Sequence, residues 1–200
     1  MERIPWFEYD EGALNVEERG FVDVLAARAR SWPVDPLDTV VVPPAHTCDR
    51  GLIVWLDIVD PRRGQGLLTV GAHLKGSDVH GDKLHHQDFS LPSKATEFTF
   101  TASGSSAELA ERTAAWFEAI LARPLIRCEW QHAGKTYAVR YEFADGGRGL
   151  TEGFEDALAP RQLRKRLAAE GVVRGRGRIN RQELGEPDLI THVRGDRPGQ

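Results

Sequence analysis

Cysteine is nearly missing from this 200-residue chain, which has only Cys48 and Cys128. Two thiols make no disulfide framework, and Cys128, on the apolar side of an alternating run, reads as a small core residue. No apolar run approaches the roughly 20 residues a helix needs to cross a bilayer. The opening residues Met1-Glu2-Arg3-Ile4-Pro5-Trp6 lack the basic-then-apolar layout of a secretory signal. These absences lead to the expectation of a reduced, cytoplasmic protein. Lysine is scarce as well, five against 21 arginines. With much alanine and glycine, that usage fits a GC-rich bacterial gene and says nothing of mechanism. No glycine-rich loop follows a strand-like run, which leaves nucleotide binding without support. There is no internal repeat.

What is present is enough apolar side chain for a core. Hydrophobic residues make up 40% of the chain, with five tryptophans and eight phenylalanines, which excludes global disorder. The length suits one domain, or one domain with an appendage.

The segment from Thr96 to Phe143 organises the rest. Phe98, Phe100 and Ala102 alternate with Glu97, Thr99 and Thr101, the period of a half-buried strand. Ser105 with Glu108 three residues later fits a capping box. A helix follows whose Leu109, Thr113, Trp116, Phe117, Ile120 and Leu121 share one side, and Pro124 ends it. Ile126, Cys128 and Trp130, then Tyr137, Val139, Tyr141 and Phe143, alternate on either side of the turn His132-Ala133-Gly134-Lys135, which predicts a hairpin.

Upstream, Trp6, Phe7 and Tyr9 suit an extended arm docked on the body. Asn15 and Glu18 form a second capping-box candidate, followed by Phe21, Leu25, Ala29 and Trp32 at helical spacing. Thr39–Val42 suits a short strand. Leu52–Val59 is apolar enough for a central strand, and Leu68, Val70, Ala72 and Leu74 return from it after a turn at 60–66. Together these predict an α+β fold: an antiparallel sheet of about five strands in the order ββ-loop-βαββ, with two helices packed on one face. The expected domains are a core over 1–145 with its N-terminal helix, a glycine-rich linker at 146–153, and a basic C-terminal helical appendage over 154–200. That appendage has helical pieces at 154–159 and 161–170, broken at Pro160.

Four groups of residues are candidates for chemistry. Lys75 to Ala95 reads as a long irregular loop, and such connections are commonly functional or mobile. It holds His80, His85, His86 and Asp82, with Asp78, Asp88 and the neighbouring His73, which are ligand types for zinc or a related divalent metal. His80 and His85 are not spaced to share one face of a helix, and adjacent His85 and His86 point different ways in regular structure. A polar surface loop with chance histidines is therefore the competing account. Cys48, close to His46, has the chemistry of a nucleophile with a nearby base, but no local signature of a cysteine enzyme surrounds it. Asp57, inside an apolar strand, needs a partner for its charge.

The third group is basic. Residues 1–160 carry nine more acidic than basic groups, whereas 161–181 carry eight basic groups against Glu170 alone. Arg161, Arg164, Lys165 and Arg166, then Arg174, Arg176 and Arg178, suit sequence-independent phosphate contacts with nucleic acid, or docking onto an acidic surface. Their order is similar to the recognition helix and wing of a winged helix domain, without the helices that should precede it. No aromatic interleaves them, which argues against a base-stacking platform. The fourth group is aromatic: Trp55, Phe98, Phe100, Trp116, Phe117, Trp130, Tyr137, Tyr141 and Phe143, read as core.

With no catalytic signature, the expectation is a non-catalytic cytoplasmic protein of the immunity or accessory type, working through contact with another protein. The alternatives are a metal-dependent enzyme or ligand binder using the 75–95 loop, and a nucleic-acid binder using 161–181.

Overall fold

The structure, a computed structural model, describes residues 5–10, 12–47, 51–85, 87–146, 149–170 and 184–195. The chain forms two compact units, Met1–Ala122 and Arg123–Gln200. Each carries its own antiparallel sheet, one of five strands and one of four. The class is α+β, as the patterning predicts. The single five-stranded sheet is corrected to two sheets.

In the first unit, helix α1 (Val16–Ala29) begins with the expected box: Asn15 accepts from the Glu18 N–H while the Glu18 carboxylate accepts from the Asn15 N–H. Such a cap is worth about 1 kcal/mol. The sheet takes strands β1 (Thr39–Val42), β2 (Leu52–Asp60), β3 (Gln65–Lys75), β4 (Asp78–Lys83) and β5 (Phe100–Ser103) in chain order. Between β5 and the end of the unit runs helix α2 (Ser106–Ala122), opened by Ser105, whose N–H and hydroxyl both donate to Glu108.

The sheet register fixes which side chains meet the helices. Leu52, Val54, Leu56 and Ile58 lie across from Leu74, Ala72, Val70 and Leu68 on one face, continued by Val79 and Gly81. Trp116 of α2 lies against Gly81 and stacks on Phe100, with ring centroids 5.4 Å apart. Phe117 fills the core between Phe7 and Trp32. Helix α1 is tied to α2 through Glu118, which accepts from the Arg28 guanidinium and from Trp32 Nε1–H at 3.0 Å. The N-terminal arm docks as expected. Phe7 is fully buried at φ 50, its N–H donating to the Thr39 hydroxyl, and Tyr9 donates to Asp23.

Strand β4 lies where the sequence predicts a loop. Its Asp-Val-His-Gly-Asp-Lys run has no apolar alternation because, of its positions on the α2 side, only Val79 is apolar, Gly81 being small to admit the Trp116 ring. A two-residue turn at Gly76-Ser77, with Gly76 at φ 57, brings β4 back along β3. The strand expected from Thr96 is also shorter than the alternation suggests. Thr96 and Thr99 are drawn into hydrogen bonds with Asp82, so regular pairing begins only at Phe100.

In the second unit the predicted hairpin forms as β6 (Leu125–His132) and β7 (Lys135–Phe143), joined through Ala133 and Gly134, both at positive φ. Two positive-φ residues are what the tightest hairpin turn requires. The hairpin belongs to a separate sheet, flanked by β8 (Gly149–Phe154) and β9 (Leu189–Arg194) in the order β8-β7-β6-β9. The expected linker at 146–153 therefore holds most of a strand. Its two glycines hide it, and a Cβ at Gly149 would meet the Arg140 guanidinium at 2.8 Å, so that side chain would have to shift. The helix expected at 154–159 is the end of that strand followed by one 3₁₀ turn at Asp156–Leu158. Helix α3 (Arg161–Ala169) follows Pro160 as predicted. Cys128, Trp130, Tyr137, Ala138 and Ala159 form this unit's core, with Phe154, Leu158 and Leu163 packed against them. The aromatics predicted as one core thus divide between two. The run at 172–179, Gly171 and the last five residues lie outside the described residues.

Candidate functional site

Of the histidines and aspartates of 75–95, Asp78, His80 and Asp82 lie on β4, and His85 and Asp88 lie in the turn after it. His80 projects from β4 opposite His73 of β3, on the sheet face away from α2. Asp82, 4% exposed, accepts from the Thr96 hydroxyl and N–H, the Thr99 hydroxyl and the Lys83 N–H. Burial pushes this carboxyl's pKa up, but the hydrogen bonds from Thr96, Thr99 and Lys83 outweigh burial and hold it below the ordinary aspartate value. Its oxygens are thus engaged in anchoring the 96–99 turn. His85 Nδ1 lies 2.9 Å from Asp88 in an exposed turn. The Ser90 hydroxyl and N–H also donate to that aspartate, and Ser90 is the main reason its pKa is lowered. His86 and Cys48 lie outside the described residues, and His46 closes a 3₁₀ turn at Pro44–His46. Asp57 has the partners its position demands, accepting from the Thr69 hydroxyl and from Trp55 Nε1–H. Among the described residues no three histidines, cysteines or carboxylates are arranged to hold a metal ion.

The apolar side of this polar face is a small cluster of Val42, Ile53 and Leu84, with Val40, Trp55, Phe89 and Leu91 against it. It explains why β2 is apolar on both faces, and Phe89 stacks on Trp55 with ring centroids 5.6 Å apart.

The basic segment divides. Arg161, Lys165 and Arg166 are exposed on α3, while Arg164 is half-buried. Leu163 and Leu167 turn inward, Leu163 onto the sheet core. Arg166 lies 3.8 Å from Glu170, one turn on. What precedes α3 is a strand and a 3₁₀ turn, not the helices of a winged helix domain. Arg174, Arg176 and Arg178 lie outside the described residues.

The feature that local patterning did not single out is β9. Its sole signal is the uncharged, strand-favouring run Leu189-Ile190-Thr191-His192-Val193 between Pro187 and Gly195. Three bonds staple its approach to β6: Trp130 Nε1–H donates to the Gly185 carbonyl at 3.1 Å, Gln131 N–H to Asp188 Oδ2 at 2.6 Å, and Asp188 N–H to the Glu129 carbonyl at 2.9 Å. So held, Leu189 pairs across from Glu129, Ile190 from Cys128 and Thr191 from Arg127. Leu189 is 45% exposed and Ile190 51%.

An outer strand presents unused N–H and C=O groups, and proteins commonly blunt such edges with short length, glycine, charge or proline. The other edges here are blunted. β1 and β5 have four residues each, β1 running straight into Pro43-Pro44. β8 carries Gly149, Glu152 and Gly153. β9 has six residues with no charge before Arg194. Among the described residues it is the outermost strand of its sheet.

No family model matches the chain, and no curated protein and no solved structure matches it either.

Proposed function

We propose that this protein acts by binding another protein, and that the β9 edge of the second sheet is its binding surface. The observation that carries this reading is the pair of adjacent aliphatic side chains, Leu189 and Ile190, about half exposed on an outer strand that carries no charge before Arg194 and keeps regular register up to His192. An extended segment added to such an edge gains main-chain hydrogen bonds, and side chains at alternate positions set its specificity. Fully burying a side chain of this size contributes about 1.5–3 kcal/mol. The role is non-catalytic, of the immunity or accessory type.

The test compares proteins retained by the tagged chain with those retained by Ile190→Lys, both purified from the native host at physiological expression. A partner held by the first and lost from the second supports the reading, and an identical set sinks it.

The exposed Arg161, Lys165 and Arg166 on α3 favour a second reading, in which the same unit also meets a polyanion. Titration with duplex and single-stranded nucleic acid over a range of salt checks this. Arg161→Glu with Lys165→Glu should abolish any salt-sensitive binding, and binding that survives the pair speaks against α3.

A further inference from the structure

We propose that His73 and His80 together bind one divalent transition-metal ion, each through one imidazole nitrogen, with water completing the coordination. The pairing of β3 with β4 sets the two residues directly opposite one another on the sheet face away from α2. The two-residue turn at Gly76-Ser77, with Gly76 at φ 57, closes this hairpin tightly, so both histidines are held on regular backbone. Directly opposite residues of antiparallel strands have Cβ atoms about 4.5–5.5 Å apart, near enough for two imidazoles to share one ion.

The residues around the pair favour a cation. Strand alternation puts Asp78, His80 and Asp82 of β4 on one face. Each aspartate is two residues from His80, about 7 Å along the strand, so it acts through its field and through bridging water. Both are fixed in place, Asp78 by the Ser103 hydroxyl and Asp82 by Thr96, Thr99 and Lys83. Lys75, opposite Asp78, offsets one of these charges, but its stem lies against Gly51, on the side of β3 away from β4. Ile53 of the small apolar cluster lies opposite His73, and Thr101 of β5 lies opposite His80. The pair thus sits where that cluster meets solvent, with His73 half-buried and His80 exposed.

The donor set selects the metal. Among the described residues no third histidine, cysteine or carboxylate completes the site. Structural zinc sites use four protein ligands and catalytic ones three, which this pair does not supply. Two imidazoles with water form a nitrogen and oxygen set that suits the tetragonal geometry of copper(II) or nickel(II), and affinity at such sites peaks at copper. Copper(II) should therefore bind more tightly than nickel(II), and both more tightly than zinc.

Calorimetric titration of the full chain with copper(II) tests this, in a Cys48→Ser background that removes a competing thiol. One ion per chain is expected, with affinity lowered at least about tenfold by His73→Gln and by His80→Gln, equivalent to about 1.4 kcal/mol. His85→Gln, in the exposed turn after β4, should leave the affinity unchanged. Pulsed electron paramagnetic resonance of the bound copper counts its imidazoles, with two expected in the parent chain and one in either variant. Circular dichroism checks that the variants fold, and His80→Gln, at an exposed position, decides alone if His73→Gln does not. The absence of saturable binding overturns the site, as does affinity unchanged in His80→Gln or a single imidazole in the parent chain. A loss with His85→Gln as large as that with His80→Gln overturns it too, by moving the ion to the turn, and zinc bound more tightly than copper overturns the two-imidazole set.

Discussion

The Trp116 indole lies so close over Gly81 that a Cβ at position 81 would sit 2.9 Å from Cη2 and 3.1 Å from Cζ3. The ring has little freedom to yield. Its Nε1–H donates to the Phe98 carbonyl at 3.0 Å, and it stacks on Phe100 and packs at a tilt against Phe117, at centroid distances of 5.4 and 4.8 Å. Gly81→Ala should therefore lower stability by about 1–3 kcal/mol, the usual cost of overfilling a packed core. The denaturant midpoint measures it, and an unchanged midpoint would mean that α2 does not bear on β4 in this way.

Phe117→Ala tests the centre of the first core. The ring is fully buried among Phe7, Trp32 and Trp116. Its removal should cost about 3–5 kcal/mol. The loss should appear as a lower midpoint in chemical denaturation.

Asp82 links stability to pH. Its folded-state pKa is depressed because the hydrogen bonds from Thr96, Thr99 and Lys83 outweigh the opposing effect of burial. A depressed carboxylate contributes stability that is fully present above its unfolded value near 4, and that is lost as pH falls through the folded value. Wild type should thus lose stability on acidification below about pH 4 more steeply than Asp82→Asn. Asp82→Ala should cost about 2–3 kcal/mol at neutral pH, since it leaves buried donors without their acceptor. Thermal unfolding from neutral to acid pH reads both effects. Parallel pH profiles for wild type and Asp82→Asn would contradict the linkage.

Ile190→Lys should leave the folded chain as stable as wild type to within about 0.5 kcal/mol, because a half-exposed side chain on an outer strand tolerates a charge. Its effect should be confined to association. A large drop in unfolding free energy would mark Ile190 as part of a core and remove it from the binding surface.

The elements that sequence alone determined are those whose signal is local. The capping boxes at Asn15 and Ser105, the apolar stripe from Leu109 to Leu121, and the positive-φ pair Ala133-Gly134 between two alternating runs each state their structure within a few residues. Strands β2 and β3 were legible for the same reason. Tertiary structure alone decided what pairing over distance decides. The polar run 78–83 becomes a strand because β3 offers it a partner, and Gly149–Phe154 because β7 does. The hairpin joins those late strands and not the first sheet, since strand alternation specifies a face and never the neighbour. The same limit hides the partners of Asp82: Thr96 and Thr99, 14 and 17 residues on, fold back to donate hydrogen bonds to its oxygens. Residues 189–193 are written in ordinary strand-favouring types, and only their place at the outside of a sheet makes Leu189 and Ile190 a surface.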